Sequence, residues 1–221
     1  MRLWSSAWIN GEPIPDRYAA GTLLADGVGF SSNLSPPLAW ADLPAGTASL
    51  VLVCHDFDVP SAADNPGVAA DINQPDINQP DRELPVDLPR VDFFHWLLVD
   101  LPPNVSGCAE GQWSSGFTPR GKPGPATTGQ ARQGLNDYSG WFAGDAARSG
   151  RYFGYDGPYP PFNDALIHHY LFTLYAVDVA QLPVVGDFNG AAVRDALAGH
   201  VLGAATLSGT YTLNRRLRGL V

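Results

Sequence analysis

Basic residues are scarce in this sequence: 13 Lys and Arg stand against 22 Asp and Glu, for a formal charge of −9. Non-specific binding to nucleic acid or to an anionic membrane needs a basic surface, so both are excluded as main functions, though a small local anion site is not. Long apolar runs are also missing. No stretch approaches the roughly 18–20 residues of a membrane span, so no membrane insertion is expected. The opening residues MRLWSSAWIN carry no apolar h-region of a signal peptide, and a cytoplasmic location is expected. The 2 cysteines allow one internal disulfide at most, and Cys54 stands in an apolar strand pattern, which favours a buried free thiol. There is no G-x-S-x-G elbow, P-loop or H-E-x-x-H, and no tight metal-ligand spacing stands out. No catalytic residue, metal or cofactor is therefore expected.

Turn residues are abundant instead. The 24 glycines and 20 prolines in 221 residues suit a mostly β architecture, and the length suits one domain spanning 1–221. Leu50–Cys54, inside SLVLVCHDFDVP, is a continuous apolar run bounded by turn signals, as in a central strand buried on both faces. VDFFHWLLVDLP (Val91–Pro102) and LFTLYAV (171–177) read as further strands. The pattern NGAAVRDALAGHVL predicts one peripheral helix over Gly190–Leu202, with Asn189 as N-cap, Val193, Leu197 and Val201 as its apolar stripe, and Gly203 as C-cap. A last strand, GTYTLN, follows. Residues 61–90 form a long inserted loop containing DINQP twice, a duplication that a surface loop tolerates cheaply. Residues 102–153 are turn-rich and irregular.

Titratable residues gather at strand mouths. The run GPYPP (157–161) is a stiff turn, followed by His168, His169 and Tyr170 as the chain enters a strand. Asp56 and Asp58 end the central strand, and His95 sits among Phe93, Phe94 and Trp96, a setting that desolvates an imidazole. Taken alone, the aspartates are also good turn formers and His95 a good core histidine. Strand alternation lets only one of His168 and His169 share a face with Tyr170; His168 is that one, and His169 faces elsewhere. His55 and His200 read as structural or exposed, and Trp40 and Trp96 as core.

In order along the chain, DFDVP (56–60), HWLLVD (95–100) and GPYPP…HHY (157–170) resemble the D-P-D-x-P, H-[WF]-L-V-V-[ND] and G-P-x-P-P…H-R-Y motifs of the phosphatidylethanolamine-binding protein family. The likeness is strongest to its bacterial Raf-kinase-inhibitor-like branch, of the YbhB and YbcL kind. SPPLAW, NDY (136–138), GYDGP (154–158) and the HVLGAATLSGTYTLN end extend it over roughly residues 30–213. Two positions depart from the motifs: Phe57 stands where the family has proline, and His169 where it has arginine.

The resemblance implies an antiparallel β-sandwich-like fold with a peripheral C-terminal helix and a small anion pocket. Carried over by position, Asp56, Asp58, His95, His168 and Tyr170 line that pocket. The expected function is non-enzymatic binding of a small phosphorylated or anionic ligand, like a phospholipid headgroup, with two imidazoles and a hydroxyl gripping it. The family name adds a protein kinase as partner, and similar bacterial proteins add a homodimer. Two other readings stay open. One is a hydrolase using the same Asp and His residues through a metal or as acid and base; the other is an interaction module without a ligand, joined through the aromatic 136–155 loop.

Overall fold

In the computed structural model of the chain, residues 1–61, 78, 80–127 and 129–220 are described. Apart from Asn78 and Pro80, the DINQP repeat lies outside them. Among the described residues there are twelve strands: β1 Arg2–Trp4, β2 Gly21–Leu24, β3 Gly27–Phe30, β4 Leu38–Ala41, β5 Ser49–Pro60, β6 Arg90–Leu101, β7 Gly107–Cys108, β8 Gly121–Lys122, β9 Arg132–Gln133, β10 Arg151–Tyr152, β11 His168–Val177 and β12 Val201–Tyr211. Two α-helices accompany them, α1 Tyr138–Trp141 and α2 Gly190–Leu197. The fold is mostly β, as expected.

The main sheet has the order β12-β11-β5-β6-β9, and every neighbouring pair in it is antiparallel. Both long central strands read as apolar runs because both faces of this sheet are covered. On one face Leu50, Leu52 and Cys54 of β5 meet Phe172 and Leu174 of β11 and Trp96 and Leu98 of β6. This core is closed by Leu38 and Trp40 of β4, from the small β1-β4-β7 sheet. On the other face Val51, Val53, Leu97 and Val99 pack against Val193 and Leu197 of α2 and against Leu182, Val184 and Phe188. Trp40 and Trp96 are core residues. Cys54 and Cys108 are free thiols, and Cys54 is buried.

The C-terminal helix is shorter than its apolar stripe predicts. Asn189 caps it as expected, its side chain accepting from the Ala192 N–H at 3.0 Å, but the helix stops at Leu197 with Ala198 as C-cap. Gly199, with φ +82, turns the chain, and Val201 begins β12 half-exposed. The third residue of the predicted stripe thus belongs to a strand, and the last strand starts eight residues before GTYTLN. Gly203 lies inside that strand. Sequence alone favoured the longer helix because V-L-G-A-A fits either period, and the turn at Gly199 decides between them.

Candidate functional site

The apolar core face of the main sheet ends in a polar cluster. Along β5, Leu50, Leu52, Cys54 and Asp56 alternate onto that face, so Asp56 is the last residue of the series. Tyr170 of β11 stands directly opposite Asp56, and His168 lies two residues earlier on the same face. On the other side, β6 carries one extra residue: Cys54 pairs with Trp96 and His55 with Phe94, so His95 has no partner of its own. Such a bulge re-aims a side chain. It brings His95 and Phe93 beside Asp56 while Trp96 stays in the core.

The turn after β10 closes this end. Tyr138 Oη donates to the Gly157 carbonyl at 2.8 Å, and the Gly157 N–H donates to Asn33 Oδ1 at 2.8 Å. A side chain at Gly157 would overlap the Tyr18 carbonyl oxygen, which explains the glycine. Together these elements enclose a pocket lined by Asp56, His95, His168 and Tyr170, with Val59, Phe93, Tyr138, Trp141, Tyr159 and Pro160–Pro161 as apolar walls. Its cavity volume is about 20 Å³. That is room for about one water-sized group, so only the tip of a ligand fits inside and the rest must lie in the open mouth.

Four of the five expected residues meet here. Asp58 does not. The irregular pairing between Asp56 and Val59 breaks the strand alternation, and the Asp58 carboxylate turns to His169. Its Oδ2 accepts from the His169 backbone N–H and from His169 Nδ1, both at 2.8 Å. His169 itself faces away from the pocket, as alternation predicts, and is about half exposed.

His168 does not offer the grip that the resemblance implies. Its ring is fully buried between two carboxylates, with Nδ1 2.6 Å from Asp56 Oδ2 and Nε2 3.1 Å from Asp164 Oδ2. Ionised carboxylates only accept, so both ring nitrogens carry hydrogen and the ring is an imidazolium. Burial works against that charge, but the field of Asp56 and the hydrogen bonds to Asp164 and Asp56 outweigh it and raise the pKa to about 9. Burial likewise works to raise Asp56, yet the His168 charge holds it below the usual carboxylate range. Burial works to raise Asp164 as well, but the hydrogen bonds from His168 and from Arg90, which donates to both its oxygens at 2.6 and 3.1 Å, lower it.

His95 is held differently. Its Nδ1 lies 2.8 Å from the Asp156 backbone carbonyl, which only accepts, so Nδ1 carries the proton. Phe93, Tyr138 and Tyr170 surround the ring at centroid distances of 4.8, 5.6 and 5.1 Å. Burial lowers its pKa, against the pull of Asp56 and the Asp156 carbonyl. The ring is neutral near pH 7, and Nε2 is a lone pair without a hydrogen bond to any described residue. The Tyr170 hydroxyl is also buried; the Asp56 carboxylate lies near it, but it makes no hydrogen bond of good geometry to any described residue.

Behind His95 stands a network not expected from the sequence. The Asp156 carboxylate accepts from Asn33 and Asn136, each at 2.7 Å, and pairs with Lys122 Nζ at 3.0 Å. These residues come from four separate segments, and no local pattern announces their meeting. Asp164 corrects the sequence reading that no i, i+4 ligand spacing occurs, since it stands four residues before His168. Here the pair is an ion pair. Among the described residues no cluster of three or more His, Cys, Asp or Glu side chains is placed to hold a metal, and His168 keeps no lone pair for one. Nor is any helix among them long and apolar enough to cross a membrane.

This arrangement has relatives. The profile of the phosphatidylethanolamine-binding protein family matches residues 4–212. A UPF0098 protein of Methanothermobacter thermautotrophicus is 30% identical over 211 residues, covering 96% of this chain and 98% of its own. The UPF0098 protein YbhB of Escherichia coli is 26% identical over 212 residues, 96% of this chain and all (100%) of its own. The crystal structure of a phosphatidylethanolamine-binding protein homologue from Chlamydia trachomatis superposes with a TM-score of 0.61 at 28% identity, over 95% of both chains. The chain belongs to the phosphatidylethanolamine-binding protein family.

Proposed function

We propose that the protein binds a small oxyanion-bearing ligand, of the phosphorylated headgroup kind, in this pocket and does not turn it over. The observation that carries the reading is the Tyr170 hydroxyl, which lines the pocket, is fully buried and, though near Asp56, makes no hydrogen bond of good geometry to any described residue. A buried hydroxyl left unsatisfied costs about 1–3 kcal/mol, and a ligand oxygen would remove that cost. His95, with its free Nε2, stands beside it. The aromatic and proline walls suit the organic part of such a ligand. Family membership supports a ligand-binding protein of this type. For a hydrolytic alternative, His168 is a poor general base, because both its nitrogens are already protonated and bonded.

Histidine ring NMR signals followed during titration with inorganic phosphate and with phosphoethanolamine test the reading. The His95 ring is expected to shift strongly and the shielded His168 ring weakly. Tyr170→Phe is expected to weaken binding about tenfold or more, the value of one hydrogen bond to a charged group. A His95 ring that ignores both anions at millimolar concentration overturns the proposal.

A further inference from the structure

We propose that the pocket admits an oxyanion only together with one proton, carried on His95 Nε2, because Asp164 neutralises His168 and occupies its last N–H. The inference rests on the anion-binding reading above and adds Asp164 as a residue that sets the charge of the site.

The reasoning begins with the charges around the pocket floor. Asp56 and Asp164 hold His168 between them, and Arg90 pairs with Asp164 at 2.6 Å. Two negative and two positive groups cancel. Asp156 and Lys122 cancel behind His95. The charged or titratable groups facing His95 are Asp56 from β5, His168 and Tyr170 from β11, Tyr138 from α1, and Asp156 from the turn after β10. None leaves a spare positive charge. An anion entering beside the Asp56 carboxylate therefore meets no net positive charge to hold it.

The hydrogen-bonding inventory gives the same answer. Of the side chains lining the pocket, Trp141, Tyr159 and Tyr170 each carry one donor on the wall, while on the floor Asp56 only accepts and neutral His95 presents a lone pair at Nε2. An oxyanion is all acceptor, so it matches the wall donors but neither Asp56 nor neutral His95. One N–H bond formed at His95 Nε2, with the proton drawn from solvent, changes both deficits. The acceptor becomes a donor and the floor gains a positive charge. No other bond changes. Had Asp164 been absent, His168 would have kept a free cationic N–H and no proton would be needed.

Linkage gives the sign. Above the pKa of the free His95 ring, binding takes up a proton and affinity falls about tenfold per pH unit; below it, the ring is already charged and affinity levels off.

Calorimetry with sulfate, in buffers of different ionisation heat, tests this on the intact chain. Sulfate stays doubly charged throughout the range, so any proton must go to the protein. The expected result is uptake of about one proton per sulfate near pH 8, declining only once the pH falls through the lowered pKa of the free ring, below about 6.5. Asp164→Asn is expected to flatten this dependence and to raise sulfate affinity near pH 8 by about tenfold or more. Sulfate bound near pH 8 without proton uptake overturns the inference and leaves the anion-binding reading standing. An unchanged pH slope in folded Asp164→Asn also overturns it. If neither sulfate, phosphate nor phosphoethanolamine binds at any pH, the anion-binding reading fails and this inference with it. Should Asp164→Asn not fold, the proton count of the unaltered chain still decides.

Discussion

Phe57 and His169 stack on one another, with ring centroids 5.8 Å apart and planes 10° from parallel. Phe57 replaces a proline and His169 an arginine of the family motifs, so the two departures are one contact. Asp58 completes the unit by holding His169 Nδ1 at 2.8 Å. The carboxylate that would have joined the pocket wall instead ties the end of β5 to the start of β11.

The stack sits at the surface, with Phe57 42% exposed, so its energy is modest. Phe57→Ala and His169→Ala combined in a double-mutant cycle should show a coupling of about 0.5–1 kcal/mol by urea denaturation. Additive effects would mean that the two rings are neighbours without mutual stabilisation.

Stability should depend on pH through His168. Its folded pKa is raised to about 9 from an ordinary value of about 6.5, so its contribution is complete below about pH 6.5 and is lost as pH rises through 9. A shift of this size corresponds to on the order of 3 kcal/mol. Asp56 and Asp164 are depressed, and theirs is present above about pH 4 and lost as pH falls below it. Denaturation midpoints measured from pH 6 to 10 should fall for the natural chain, whereas His168→Gln should be less stable at pH 6 and lack that decline. Parallel curves for the two would remove His168 as the source.

The backbone glycine at 157 makes a separate demand. A methyl group there would meet the Tyr18 carbonyl, which is backbone and cannot swing aside, as well as the Tyr155 hydroxyl. Gly157→Ala should cost about 1–3 kcal/mol by overpacking and displace the pocket-closing turn. Loss of phosphate-induced His95 shifts in a folded Gly157→Ala protein would show that the turn shapes the pocket; an unchanged stability would contradict the tight fit.

These residues also show what the sequence discloses. Leu50–Cys54 and LFTLYAV are legible as strands because uninterrupted apolar runs between turn signals suit a sheet covered on both faces. His168 and Tyr170 are legible as pocket residues, and His169 as their outward neighbour, because strand alternation is local. Asp58 misleads because two irregular residues break that alternation, and Val201 because a run of small apolar residues fits either period. The bonding state of His168 is not legible from the motif, which names the histidine but not the carboxylate that takes its second nitrogen. Asn33, Lys122, Asn136 and Asp156 lie up to 123 residues apart and meet only through tertiary packing.

That last network should be measurable at His95. Lys122 is the only lysine of the chain and its side chain is only 12% exposed. Burial lowers its pKa, and Asp156 pulls it back up. Holding an ion pair out of water is costly, and removing one member strands the other, typically at about 3–5 kcal/mol. Lys122→Met should therefore destabilise the protein by about that amount, since Asn33 and Asn136 alone must then satisfy a charged Asp156. The same residue supplies the carbonyl that fixes the proton on His95 Nδ1. If the carboxylate anchors that carbonyl, nitrogen-15 spectra of the folded Lys122→Met protein should show His95 sampling both tautomers, where the natural chain shows Nδ1–H alone. Destabilisation with an unchanged tautomer would confine Lys122 to stability, because a carbonyl fixed by the backbone alone holds the ring equally well without it.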